Sequence, residues 1–519
     1  MIGRSAKRPG ALPVEGRLDW LALLPFDGIA TVVVLIGEAT DDELRRMARH
    51  FGVASVERRL PAGDVDVLIV RDLRCARRAL GALAPAGVAW LEGTSRRSRF
   101  TRVAARAARA NGRQVRATYW VLPRARSARR YVPTTNRAAL RWYLDELFVS
   151  RTTVERIGRR ATMLWPGVAT LVLGDRATVV VGPLVRSGLL ATGAGDGLPP
   201  DQVVIMQSGG HDLGNRTIVI PFGAEGGQTG SILKVASAPE MNDLVEAEFI
   251  ALQALQSGLP DSIAASIPLP DSRWIWANRT VTRESMFPGP TVDHAIRSAG
   301  IDPGRALDEV GDWLGRFHLA TAHEDTWSVD RFDRVVRPTL EAYESAYGSD
   351  ASVQQLFRGV EARAQELAGL RLVEVRRHWD FTPSNVILSE GGIAVIDWEP
   401  GIGRPMDGRG LPLCDLDYFV KFWLHAVVRP SSVAEENALF PHTSAAEAVC
   451  CRAVIESYCA SLGIDPRFVP MISVYQWAEQ AVHDQARGRR LGGLPETRCA
   501  ATRHVIALAL DQDALFAER

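Results

Sequence analysis

A chain of 519 residues, 46% apolar and 23% charged, is too long for one compact core and reads as two or three soluble domains. Its formal net charge of +1 sets up no overall field toward a nucleic acid or an anionic surface, and its longest apolar runs, such as IATVVVLI at 29–36, are too short to span a bilayer. The basic N-terminal residues lack a following apolar stretch, so the cytoplasm is the expected location, and six cysteines without CxxC spacing fit reduced thiols with no zinc site.

In chain order, residues 1–190 alternate strand-like and helix-like runs. TVVVLI (31–36) precedes DDELRRMARHFG, where Leu44, Met47 and Ala48 fall at helical spacing. DVDVLIV (64–70), GVAWLEG (87–93) and the helix-like RFTRVAARAARANG follow. Strands alternating with helices predict an α/β, Rossmann-like sheet. The segment 114–147, with Tyr119 and Trp120 on a strand before a proline-bearing loop, resembles the C-terminal part of class I methyltransferase-like domains. A methionine-derived cofactor needs a glycine-rich turn after the first strand, yet VLIGEATDDEL offers Gly37 and then acids. A degenerate, non-catalytic domain is expected.

Between Gly93 and Leu144 lie fourteen arginines, from Arg96 to Arg141, and no acid. The run reads either as a solvated face or as a contact for an anionic surface. No nucleic-acid motif accompanies it, so nucleic acid is not expected as a partner. The Gly/Pro-rich stretch 182–202 reads as a linker. Beyond it, 191–290 is strand-rich with one helix, and 291–519 is mostly helical. LDEVGDWLGRFHLATAH (307–323) is the clearest helix, with Val310, Trp313, Leu314, Phe317 and His318 on one face.

The second half carries the chemistry. SGGHDLGNRTIVIPF places Ser208, Gly209, Gly210, Gly214 and Asn215 where two strands turn, a candidate cradle for phosphates. Lys234 in SILKVA is the candidate cation. Of 61 basic residues only Lys7, Lys234 and Lys421 are lysine, so a retained lysine in a strand draws notice. On the helix NDLVEAEFIALQAL either Glu246 or Glu248 could pair with it, and the interval to Leu252 and Leu255 favours Glu248. In HWDFTPSNVILSEGGIAVID, Asp380 and Asn385 stand five apart, and Asp397 follows twelve later at the end of a strand. One loop can then aim Asp380 at a hydroxyl while Asn385 and Asp397 supply hard oxygen ligands for magnesium.

HxDxxxxN followed by IDWE resembles the aminoglycoside phosphotransferase and choline kinase-like branch of the protein-kinase-like fold. The resemblance implies a bilobal α+β fold using ATP and Mg2+. It makes Asp380 the catalytic aspartate, Asn385 and Asp397 the metal ligands, Lys234 the phosphate lysine and Glu248 its partner. It also makes ESMFPG the adenine hinge, with Ser285, Met286 and Phe287, and Asp415 and Asp417 an acidic segment anchoring the metal loop. Trp379 stands before Asp380, Asp-Trp-Glu replaces Asp-Phe-Gly and no Ala-Pro-Glu follows. The expected acceptor is therefore a hydroxyl of a small molecule, such as a sugar, an amino alcohol or an aminoglycoside-like compound. The alternative is a pseudokinase or nucleotide-binding scaffold in a glycan or secondary-metabolite pathway.

Overall fold

The computed structural model describes residues 30–510 except 94–99, 123–129, 134–135, 145–174, 182–202, 209–215, 224–228, 399–407, 431–445, 491–499 and the single positions 52, 277, 299, 349 and 390. The chain is α+β and divides into two compact units: Pro13–Phe249 with Pro270–Met286, and Ile250–Leu269 with Phe287–Arg519. Among the described residues no helix is long and apolar enough to cross a membrane.

The first unit is organised by one sheet of eleven strands, β1 (Val33–Ile36), β2 (Val65–Val70), β3 (Leu83–Gly93), β4 (Gln114–Leu122), β5 (Arg130–Pro133), β6 (Asp175–Val181), β7 (Val203–Ser208), β8 (Thr217–Phe222), β9 (Ser231–Val235), β10 (Pro270–Trp276) and β11 (Arg279–Ser285). Their spatial order is β1-β2-β3-β6-β4-β5-β7-β8-β9-β11-β10. The first three strands run parallel, as their nearly continuous Val/Ile/Leu content requires of strands covered on both faces. Val33, Leu35, Val67 and Ile69 pack with Met47 and Phe51 of the helix Asp41–Phe51 on one side. Val34, Leu68 and Val70 pack with Leu80, Ala104 and Ala108, from helices Ala76–Gly81 and Phe100–Ala110, on the other. β6 inserts between β3 and β4, antiparallel to both.

From β4 onward the sheet is antiparallel. Its continuity rests on one short pairing, Arg130 with Gln207 and Tyr131 with Met206, which joins β5 to β7. β9 is an interior strand between β8 and β11, so Lys234 sits opposite both Ile218 and Thr282. A lysine there is not the aggregation-blunting cation of a sheet edge.

The second unit is helical. The helix Pro303–Thr321 starts cleanly because Asp302 accepts the N–H of Arg305 and Pro303 takes the first turn. It buries the predicted face of Val310, Trp313, Leu314, Phe317 and His318. Around it pack helices Ala351–Glu366, Cys414–Val428, Ala446–Leu462, Val469–Arg490 and Ala500–Leu510, closing one large apolar core. Two small ribbons hold the loops between them: β12 (Val375–Arg376) with β15 (Arg409–Gly410), and β13 (Val386–Ser389) with β14 (Gly392–Val395).

Candidate active site

In the sheet-bearing unit, Lys234 meets the helix Asn242–Gly258. Strand alternation turns Leu233 and Val235 into one core and Lys234 toward the opposite face. There its Nζ lies 2.5 Å from Glu248 Oε1. Glu246, the other candidate on that helix, turns outward to Arg273 instead. The pair has two further members that the sequence reading did not include. Arg216 Nη1 stands 2.7 Å from Glu248 Oε2, and Lys234 Nζ stands 3.0 Å from Glu284 Oε1. All four side chains are at most 3% exposed. Two cations and two carboxylates cancel, which is what lets charges sit so deep in a fold.

The predicted phosphate cradle falls mostly outside the described residues: Gly209, Gly210, Gly214 and Asn215 are not among them. Its ends are in place, since Ser208 and Thr217 form the closing pair of β7 and β8. At the predicted hinge, Ser285 still pairs with Ser231 in the ladder. The N–H of Met286 donates to the Gly230 carbonyl at 2.9 Å, while its partly buried side chain packs against the cluster that holds Ile205, Ile220 and Phe222.

In the helical unit, the register of β13 and β14 explains the twelve-residue interval. Val386 opposes Val395, and the N–H of Ile396 donates to the Asn385 carbonyl at 3.0 Å. Asp397 is therefore one residue beyond the partner of Asn385, at the same end of the ribbon. Asn385 Nδ2 donates to the backbone oxygen of Asp380 at 2.8 Å and to its Oδ2 at 3.0 Å. That fixes the exposed Asp380 carboxylate and leaves Asn385 Oδ1 for another ligand. Gly289 makes room for the ribbon. At φ +116 it approaches so closely that a Cβ would lie 2.2 Å from the Leu388 oxygen, and the N–H of Leu388 donates to the Pro290 carbonyl.

Behind Asp380 the loop is strained and over-determined. Trp379 adopts φ 73, a region costly for a bulky side chain. The buried carboxylate of Asp415 accepts both the His378 and the Trp379 N–H. Arg377 stacks over the Trp379 ring, 3.8 Å from its centroid, and donates to Glu479 and Gln476. His378 Nε2 lies 2.9 Å from the Ile396 carbonyl and Nδ1 accepts from the Asp380 N–H at 3.3 Å. These bonds specify the neutral Nε2–H tautomer and tie Asp380 to the strand leading to Asp397. Burial would raise the Asp415 carboxyl, but the bond from His318 and the charge of Arg377 outweigh it and hold that group far below the ordinary carboxylate range. Asp417 is different. Burial pushes it up to about 6, despite hydrogen bonds from Ser473 and Trp477.

Residues 224–416 match the family model of the phosphotransferase enzyme family. The predicted resemblance holds over that segment, which includes Lys234, Glu248, Asp380, Asn385 and Asp397; Arg216 and Ser208 precede it. No curated protein matches the chain. Among solved structures, a glucosamine kinase is 18% identical, covering 57% of this chain and 76% of its own, with a TM-score of 0.35. An aminoglycoside phosphotransferase from Streptomyces rimosus, in complex with ADP and streptomycin, is 17% identical over 58% of this chain and 91% of its own, at 0.30. An ADP-bound aminoglycoside phosphotransferase is 14% identical over 60% and 94%, at 0.32. These likenesses carry no argument of their own beside the segment match.

Among the described residues no group of three or more His, Cys, Asp or Glu could hold a metal ion. The arginine run divides. Arg102, Arg106 and Arg109 are exposed along the helix Phe100–Ala110. Arg113 is spent on the carbonyls of Leu83, Ala84 and Pro85, and Arg130 on the Tyr143 hydroxyl.

In the parallel part of the sheet, the residue that follows β2 is Arg71. Arg71 donates to the Glu38 carbonyl at 2.7 Å and pairs with Glu43 and Glu92, and a Cβ at Gly37 would lie 2.7 Å from Arg71 Cβ.

Proposed function

We propose that the chain is an ATP- and magnesium-dependent phosphotransferase that moves the γ-phosphoryl group to a hydroxyl of a small molecule. The observation that carries this reading is the Asp380–Asn385 geometry, in a segment that matches the phosphotransferase family. Asn385 orients the Asp380 carboxylate, which remains exposed and able to accept a hydroxyl proton. Lys234, held by Glu248, would bind donor phosphates, and the hinge backbone around Ser285–Phe287 would take the adenine. Asn385 Oδ1 and the Asp397 carboxylate are hard oxygen donors that fit magnesium, which would neutralise phosphate charge when bound. Catalysis on such a scaffold is positioning and charge neutralisation, and the strained, hydrogen-bonded loop behind Asp380 would supply the positioning.

The N-terminal strands act in this reading as a non-catalytic extension, since Arg71, paired with Glu43 and Glu92 after β2, would stand in the crevice that a cofactor of such a sheet needs. A panel of sugars, amino sugars and amino alcohols, incubated with ATP and magnesium and read by mass spectrometry, tests the proposal. A phosphorylated acceptor supports it. Nucleotide binding without transfer to any acceptor or to water would favour a scaffold instead.

A further inference from the structure

The second carboxylate on Lys234 has no part in phosphoryl transfer as just described. Lys234 lies on β9 opposite Thr282 of β11, so Glu284, two residues further along the same strand, projects from the same face. This diagonal brings Glu284 Oε1 to 3.0 Å from Lys234 Nζ, which Glu248 Oε1 approaches from the helix side. Glu248 is also neutralised by Arg216. Among these four side chains the charges of Lys234 and Arg216 balance those of Glu248 and Glu284.

We propose that Glu284 is a built-in counter-ion that holds Lys234 in the nucleotide-free protein and competes with donor phosphate for it, thereby setting nucleotide affinity. The proposal rests on the assignment of Lys234 as the phosphate lysine. Removing the charge of Glu284 leaves these four side chains with one positive charge in excess. That raises the free energy of the free protein, since an uncompensated buried charge is costly, and a bound polyanion relieves it. Removing Glu284 therefore destabilises the free state while strengthening nucleotide binding. The gain acts on the bound phosphates, so it appears in nucleotide affinity and in KM.

The test compares the full-length parent with Glu284→Gln by calorimetric titration with ADP and with ATP–magnesium, by thermal unfolding with and without nucleotide, and by KM. The expected result is about tenfold tighter nucleotide binding. The nucleotide-free melting point should fall and the nucleotide-induced rise should grow. Glu284→Asp keeps the charge but draws it back by one methylene; it should bind nucleotide more tightly than the parent and less tightly than Glu284→Gln. It decides the matter if Glu284→Gln fails to fold. Unchanged or weaker binding in the folded variants would overturn the proposal, since a merely structural glutamate predicts loss of stability alone. If the parent itself binds no nucleotide, the underlying phosphotransferase reading fails.

Discussion

Asp415 accepts the backbone N–H of Trp379 at 3.2 Å and so holds that residue in a left-handed conformation, one position before the candidate catalytic Asp380. The same carboxylate accepts the His378 N–H at 2.6 Å and lies 3.6 Å from Arg377 Nε. Geometry at the Asp380 loop is thus set by a buried charge on the helix Cys414–Val428. Asp415→Asn replaces one acceptor oxygen by a donor facing an N–H and takes one carboxylate from a buried arginine. Stability should fall by about 3 kcal/mol, measured by urea unfolding, and phosphotransfer by more than about a hundredfold, some 2.7 kcal/mol. Retention of both would show that the strained loop holds itself.

Asp417, on the same helix, predicts a pH dependence of opposite sign to that of an ion-paired carboxylate. Its carboxyl is raised to about 6 in the fold from an ordinary 3.8. Between those values the folded chain binds more protons than the unfolded one, so the group weakens folding progressively as pH rises from about 4 to about 6. Lys421 acts on it, and His504, 4.2 Å from the Trp477 ring, is kept neutral by burial. Relative to the parent, Asp417→Asn should gain up to about 3 kcal/mol across that window. Urea unfolding at several pH values checks this, and a flat difference would contradict it.

At the proposed metal site, Asp397 adopts φ 69, a conformation that asparagine tolerates as aspartate does. Asp397→Asn should therefore keep the fold and its unfolding midpoint while abolishing magnesium-dependent turnover. A near-normal rate would remove Asp397 from the metal site.

For Lys234, the space between the two glutamate oxygens, at 2.5 Å and 3.0 Å, suits a compact ammonium and not a planar guanidinium. Lys234→Arg should stay folded but lower phosphotransfer at least about a hundredfold, some 2.7 kcal/mol in the barrier. Single-turnover kinetics decide it, and parental activity would take the lysine out of the mechanism.

In the N-terminal strands, Arg71, just after β2, bridges Glu43 of the helix Asp41–Phe51 and Glu92 near the end of β3. The full-length protein should show no binding of S-adenosylmethionine in calorimetry. Micromolar affinity would mean that the crevice opens.

The residues that meet through one local rule were readable in advance. Strand alternation pointed Lys234 away from Leu233, helical spacing favoured Glu248 over Glu246, and a ribbon of two short strands accounts for the Asn385–Asp397 interval. What stayed hidden depends on register between distant strands. Arg216 and Glu284 reach the lysine pair only because β8 and β11 flank β9, and no spacing in the sequence specifies that neighbourhood. The pairing of β5 with β7, which makes one sheet of eleven strands, is likewise two residue pairs long and leaves no pattern. Trp379 gave no sign of positive φ either, because the carboxylate that stabilises it comes 36 residues later.

The central claim, that Asp380 positions an acceptor for phosphoryl transfer, is tested most directly by single-turnover transfer from γ-labelled ATP in the parent and in Asp380→Asn at saturating nucleotide. The account predicts that label moves to the hydroxyl acceptor in the parent and moves about a thousandfold more slowly in the variant, with nucleotide affinity unchanged. Equal rates in the two proteins, or no transfer of label from either, would contradict it.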